Sequence, residues 1–271
     1  MTDEKLLVVV IRTPNSDRYL PIETLLKGDK RFELEYVEAS MTPTYLDVKK
    51  NNIAYSTEVF EFFQGRKLTP EEIGCANSHN RARNIVKNNQ LGGVILEDDA
   101  RILDVHLLFR EVNTFLNIKK NTSSVLNLTG FRNLSRNRVS QNNFTRIFTQ
   151  PDLAVGYVLT SLASSNLLNA NCPITDVADW PKSKCDYYIS SSKKVIHGDL
   201  DTKSLIDKNN TDFRSRPKIN IKFKNTLIIL FVKRTKGGLS FKNYFLKVIF
   251  SSILWRTEKI RLILSGYRVT K

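Results

Sequence analysis

The sequence is short of cysteine, and the three it has, Cys75, Cys172 and Cys185, are far apart and form no Cys-x-x-Cys pair. An odd, scattered set of thiols suggests neither a disulfide framework nor a zinc site, and it favours a reducing compartment. Nowhere do about 18 apolar residues run together without charge, so no membrane-spanning helix is predicted. The acidic lead Met1-Thr2-Asp3-Glu4-Lys5 is followed by a run, Leu6 to Ile11, too short for a signal peptide's hydrophobic region. The expected location is the cytoplasm. No internal repeat is present, and acids are almost missing from the end of the chain. Residues 214–271 carry 15 Lys and Arg against the single acid Glu258, a net +14 out of +15 for all 271 residues. The other 213 residues hold 27 basic and 26 acidic side chains and are nearly neutral. The chain thus divides into a body, 1–213, and a basic, aromatic-rich tail, 214–271, whose charge points to an anionic partner such as a membrane surface or nucleic acid.

With 41% hydrophobic and 10% aromatic residues, the body can bury a sizeable core. Leu6 to Ile11 reads as a buried strand running into the polar stretch Arg12-Thr13-Pro14-Asn15-Ser16-Asp17-Arg18. A helix is predicted from Tyr19 to Leu26, and the alternation in Phe32-Glu33-Leu34-Glu35-Tyr36-Val37 predicts a second strand. This β-α-β order implies an α/β fold with a mostly parallel sheet. Thr69, Pro70 and Glu72 form a helix-start signature, with the helix running past Ser78 and His79 toward Lys87. Asn88 to Gly93 breaks it. Strands are expected at Val94 to Leu96, at Val125 to Thr129 and at Ala154 to Thr160, with a helix from Leu162 to Leu168 and a loop over Asn133 to Thr145. In the tail, Leu227 to Val232 looks like a strand, and Phe241 to Leu264 is aromatic and basic.

Val94-Ile95-Leu96-Glu97-Asp98-Asp99-Ala100 is the most informative stretch. An apolar strand there ends on three consecutive carboxylates. Buried charge is costly unless it is paired or holds a metal, and crowded acids raise one another's pKa, so the cluster is a candidate divalent-cation site. In open α/β sheets ligands bind beyond the carboxyl ends of the strands, which is where these acids fall. By the same rule Thr13, Asn15 and Arg18 follow the first strand toward a ligand, and Arg18 could pair with phosphate. The plainer alternatives are acids that cap the next helix or face water and an arginine on the surface.

The stretch Leu68-Thr69-Pro70-Glu71-Glu72-Ile73-Gly74-Cys75-Ala76-Asn77-Ser78-His79, followed by Ile95-Leu96-Glu97-Asp98-Asp99, resembles glycosyltransferase family 25, the bacterial lipooligosaccharide and lipopolysaccharide glycosyltransferases. Ala154-Val155-Gly156-Tyr157 and Pro173-Ile174-Thr175-Asp176 are counterparts of two more family elements. The first departs from the usual Gly-Thr-x-x-Tyr, and Asp176 stands one residue later than the family's Asp. The resemblance implies a GT-A type nucleotide-sugar-binding domain in which Glu97-Asp98-Asp99 is a variant of the Asp-x-Asp motif. Asp99, with Glu97, would hold Mn²⁺ or Mg²⁺ on the diphosphate of a UDP-sugar, and Glu97 and Asp98 could also serve the nucleotide. Ser78 and His79 would reach the donor, and His197 is a third candidate metal ligand. The family implies an inverting transfer, for which Asp176, or else Asp179, is the candidate base. Trp180 could stack on a sugar face.

The resulting expectation is a metal-dependent inverting transferase moving a hexose, galactose or glucose, from UDP onto a growing lipooligosaccharide. The tail would dock on the anionic inner face of the cell membrane, each basic residue contributing on the order of 1 kcal/mol near such a surface. A nucleic-acid-binding protein acting through the tail leaves the acids without a purpose, and the tail carries no recognised nucleic-acid motif. A metal-dependent hydrolase using the same acids is the third possibility.

Overall fold

A computed structural model of the chain describes residues 5–58, 60–61, 66–129, 134–135, 144–147, 154–178, 181, 183–190, 195–198 and 268–269. Strand β1 (Leu6–Arg12) sends its side chains alternately into two cores. Leu6, Val8 and Val10 pack with Ile22, Leu26, Leu108 and Leu116, while Leu7, Val9 and Ile11 pack with Ala82, Val86, Ala163 and Leu167. A strand covered on both faces has no polar side to show, and this is why the run is apolar at every position. Helices α1 (Leu20–Leu26) and α4 (Val105–Lys119) contribute to the first core, α3 (Pro70–Asn88) and α5 (Ser161–Ala170) to the second. A short helix, α2 (Tyr45–Lys50), belongs to a third cluster with Val48, Ile73 and Ile174.

The strands are β2 (Phe32–Glu38), β3 (Gly93–Glu97), β4 (Ala100–Ile102), β5 (Ser124–Asn127), β6 (Leu134–Ser135), β7 (Phe144–Ile147), β8 (Gly156–Leu159), β9 (Asp186–Ser190), β10 (Ile196–Gly198) and β11 (Arg268–Val269). Seven of them form one sheet in the order β2-β1-β3-β8-β5-β9-β7. The expectation of a mostly parallel sheet needs correction toward a mixed one. β1 runs parallel to β2 and β3, and β5 parallel to β9, but β8 is antiparallel to β3 and β5, and β7 to β9. Every residue of β8 is buried, so its sequence looks the same whichever way it runs. β9, which the sequence pattern did not mark, and the β4–β10 pair are further additions.

Helix α3 starts as its sequence requires. Thr69 Oγ1 accepts from the Glu72 amide at 3.2 Å while Glu72 Oε2 accepts from the Thr69 amide at 2.9 Å, a reciprocal capping box ahead of Pro70. Beyond its end, Gly92 adopts φ +106°, and a Cβ there would run into the Leu159 carbonyl. Only glycine lets the chain turn so close under the sheet. From β1 the chain passes through α1 to β2 on one side, then returns through α3 to β3 on the other. By the general rule for open α/β sheets, that reversal leaves a crevice beyond the carboxyl ends of β1 and β3, where the loop Thr13–Arg18 and Glu97-Asp98-Asp99 fall.

The strand expected at Leu227 to Val232 and the segment Phe241 to Leu264 lie outside the described residues. Of the tail, Arg268–Val269 pairs antiparallel with Leu134–Ser135. Among the described residues, no helix is long and apolar enough to cross a membrane.

Candidate active site

The alternation of β3 decides where its acids go. Val94 and Leu96 enter the first core and Ile95 the second, so Glu97 turns to the side of the sheet covered by α3. There it meets His79, whose side chain is 1% exposed and whose Nε2 lies 3.0 Å from Glu97 Oε1. Tyr157, the register partner of Ile95 on β8, reaches the other ring nitrogen, Nδ1, at 2.8 Å, and the two rings stack at 17°. Burial pushes the Tyr157 hydroxyl up to about 12, so it keeps its proton. With the imidazole proton on Nε2, the chain closes in one sense: Tyr157 O–H donates to Nδ1, and Nε2–H donates to the Glu97 carboxylate. Cys75 Sγ, one helical turn before His79, lies with these two in a group whose ligand atoms are all within 4.8 Å of one another.

The next two acids are held from β1's side of the crevice. The Thr13 amide donates to Asp98 Oδ2 at 2.9 Å, and Arg18 Nη2 lies 3.4 Å from Asp98 Oδ1 and 3.1 Å from Asp99 Oδ2. One guanidinium serves two carboxylates. Burial, then the Glu97 charge, pushes the Asp99 carboxyl up to about 6, against the pull of Arg18. Asp99 Oδ1 and Arg18 Nε are buried with no hydrogen-bond partner among the described residues. An orphaned carboxylate oxygen beside two more acids, with one arginine between them, fits a hard divalent cation, which takes oxygen ligands of this kind.

The rest of the helix motif forms the frame around this site. Gly74 faces the segment after β2 so closely that a Cβ would overlap the Ser40 carbonyl and Thr42 Oγ1. Ser78 Oγ accepts from the Ser40 amide and donates to the Gly74 carbonyl, both at 2.8 Å, and Asn77 Nδ2 donates to Ser40 Oγ at 2.8 Å. Ser78 therefore spends its hydroxyl on the Ser40 segment, and the structure does not bring it to the acids. Gly74→Ala is expected to destabilise the fold by about 2 kcal/mol, because the obstacle includes backbone that cannot rotate away. Thermal unfolding will show it as a lowered midpoint; an unchanged midpoint would mean that the helix and segment can part freely.

Of the residues singled out in the sequence, Thr13, Arg18, Glu97, Asp98 and Asp99 come together at the strand ends, while His79 is buried behind Glu97 with both ring nitrogens taken and, contrary to expectation, does not itself reach out to a donor. Asn15 is exposed at the loop's left-handed turn, φ 57°. Asp176 is half-buried, and its Oδ1 accepts from the Val177 amide at 3.0 Å. Its segment is tied in at Ile174, which exchanges backbone hydrogen bonds with Ala54 and Ser56 at 2.9 and 2.8 Å. Asp179 and Trp180 lie outside the described residues. His197 pairs with Arg101 in the register of β10 against β4, two residues past Asp99 in the neighbouring strand. Two links were not apparent in the sequence: the Tyr157–His79–Glu97 chain and the Thr13 amide on Asp98. The first had a signal in the Gly-x-x-x-x-His and Gly-Tyr elements, whose spacing does not reveal that they touch.

The acids and the one arginine lie at the carboxyl ends of β1 and β3, where the strand order reverses, the place at which open α/β sheets bind ligands. The chain belongs to glycosyltransferase family 25 (LPS biosynthesis protein), whose sequence model matches residues 22–187. It is therefore a glycosyltransferase of lipopolysaccharide biosynthesis, acting on a sugar donor and an LPS-type acceptor. The matched stretch spans the helix motif, the three acids, Tyr157, Asp176 and Asp179; Thr13, Asn15, Arg18 and His197 lie outside it. No curated protein matches the chain.

Proposed function

We propose that the protein is a metal-dependent, inverting transferase that moves a hexose, galactose or glucose, from a UDP-sugar to a growing lipooligosaccharide. The observation that carries the reading is the buried Asp99 Oδ1, without a hydrogen-bond partner among the described residues, in an acid cluster at the sheet's carboxyl end. The seven-stranded α/β sheet with its crevice at the reversal point supports a GT-A type nucleotide-sugar domain over residues 1–213. Asp99 and Glu97, with His197 as third ligand, would hold Mn²⁺ or Mg²⁺. When bound, such an ion neutralises charge on the departing diphosphate. Arg18 adds a fixed positive charge beside the same acids, and the Thr13 amide keeps Asp98 from turning away. Thr13 and Asn15 belong to the nucleotide side in this reading, Ser78 is taken up by the Ser40 segment, and His79 orients Glu97. Asp176, or else Asp179, takes the proton of the acceptor hydroxyl as it attacks the anomeric carbon.

The basic tail, 214–271, docks the enzyme on the anionic inner face of the membrane, where a lipid-linked acceptor is found. Its net +14 supports this. Binding to DNA but not to anionic liposomes would favour a nucleic-acid partner instead.

The test is a donor screen of the purified full chain. UDP-glucose, UDP-galactose and their N-acetyl forms are offered with a truncated lipooligosaccharide, with Mn²⁺, with Mg²⁺ and with a chelator. Transfer of one hexose, lost on chelation and with the product's anomeric configuration opposite to the donor's, is expected. Transfer that survives chelation would overturn the metal role; retained configuration would overturn the inverting mechanism. Phosphodiester cleavage with no transfer would replace the reading by a hydrolase.

A further inference from the structure

Away from the acids, the chain builds an open groove of about 600 Å³ on α2 and the segment that follows it. Its walls include Tyr45, Leu46, Lys49, Asn52 and Tyr55. Tyr45 is 43% and Tyr55 37% exposed, so part of each side chain is open to solvent in the groove. Their rings lie 23° from parallel with centroids 6.1 Å apart. Neither is a loose surface residue. Tyr45 O–H donates to the Leu68 carbonyl at 2.6 Å, and the backbone of Tyr55 bridges to Ile174.

Two near-parallel aromatic side chains, one held by its hydroxyl, with a lysine and an asparagine at their side have the chemistry of a sugar-binding surface. The apolar C–H faces of a pyranose stack on tyrosine rings, while its hydroxyls, or an anionic substituent on it, take hydrogen bonds from Lys49 and Asn52. The position adds a second argument. Ile174, clamped between Ala54 and Ser56, is two residues before Asp176, the proposed base. A saccharide on the tyrosines would thus lie against the segment that activates the acceptor, not at the crevice that takes the donor. We infer that the Tyr45–Tyr55 groove is the acceptor subsite, binding the oligosaccharide of the lipopolysaccharide-type acceptor by stacking on the two rings. This rests on the transferase reading above.

The test uses the full chain and, as probe, the deacylated core oligosaccharide of a truncated lipooligosaccharide. Saturation-transfer NMR measures its binding without turnover, and steady-state kinetics separate the acceptor KM from kcat and from the donor KM. Tyr55→Ala, which leaves the backbone bridge available, is expected to weaken binding and raise the acceptor KM about tenfold, with the donor KM as internal control. Tyr55→Trp restores stacking and should recover most of the loss; Lys49→Ala should give a smaller rise, about threefold. Thermal melts check that each variant is folded. Oligosaccharide that binds wild type and Tyr55→Ala alike, or does not bind wild type, overturns the subsite. So does a loss confined to self-association of the protein, which would make the groove a contact between copies. If the oligosaccharide binds through Tyr55 but no donor is turned over, the transferase reading fails while the saccharide groove stands.

Discussion

Asp99→Asn will cut sugar transfer by about 10³-fold and, in the same protein freed of metal, raise thermal stability. The first effect follows from removing a carboxylate that faces charge building on the leaving group, a loss in the range seen when one preorganised electrostatic partner is deleted from an active site. The second follows from the cost of keeping that carboxylate in place. Burial and the neighbouring Glu97 raise the Asp99 carboxyl from an ordinary 3.8 to about 6. Between those values the folded protein binds more protons than the unfolded chain, so stability falls as pH rises from about 4 to about 6 and then levels off. Two pKa units would be about 3 kcal/mol. Solvent reaching the 22% exposed side chain reduces this to about 1 to 2 kcal/mol at neutral pH. Asparagine mimics the protonated form, so the variant should melt about 3 to 6 °C higher at pH 7 and lose the pH 4 to 6 slope. Excess Mn²⁺ should stabilise wild type and leave Asp99→Asn little changed. A variant with full transfer activity would refute the metal role. One that is inactive but melts lower at pH 7 would mean that Asp99 holds the fold together, not a ligand.

That opposition between stability and activity explains why the acids were so legible in the sequence. A buried run such as Val94 to Leu96 that ends on three adjacent carboxylates sets like charges side by side at the edge of the core, a local cost of the kind that concentrates at functional sites. The helix start at Thr69 was equally readable, because a capping box is a local interaction between residues three apart. Strand direction was not readable in β8, where every side chain is buried and neither neighbour leaves a polar face to mark it. Nor was the job of each motif residue. Gly74 and Ser78 stand in one helical motif with His79, yet they bind the Ser40 segment while His79 faces the sheet. The division depends on which way the helix face turns against β3 and β8, a tertiary fact to which a spacing of four or five residues is blind.

His79→Ala should therefore damage the enzyme in two separable ways. The imidazole is fully packed between Tyr157 and Glu97, so truncation opens a cavity, strips the Tyr157 hydroxyl of its Nδ1 acceptor and removes a stacked ring. A loss of about 3 kcal/mol in unfolding free energy is expected, read from urea melts. The second effect concerns Glu97, which is 28% exposed and would swing toward water once Nε2–H no longer holds it. If Glu97 is a metal ligand, releasing the group that orients it should weaken Mn²⁺ binding about 10- to 100-fold, as losing a partner behind a ligand generally does. His79→Gln separates the two effects. Its amide can accept from Tyr157 with oxygen and donate to Glu97 with nitrogen, so it should recover part of the metal affinity as well as part of the stability. A purely structural histidine would behave differently: His79→Ala would melt lower, yet below its melting temperature it would bind Mn²⁺ and turn over donor with wild-type constants. Isothermal titration with Mn²⁺, beside the urea melts, distinguishes these outcomes, and wild-type metal affinity in His79→Ala would end the case for a positioning role.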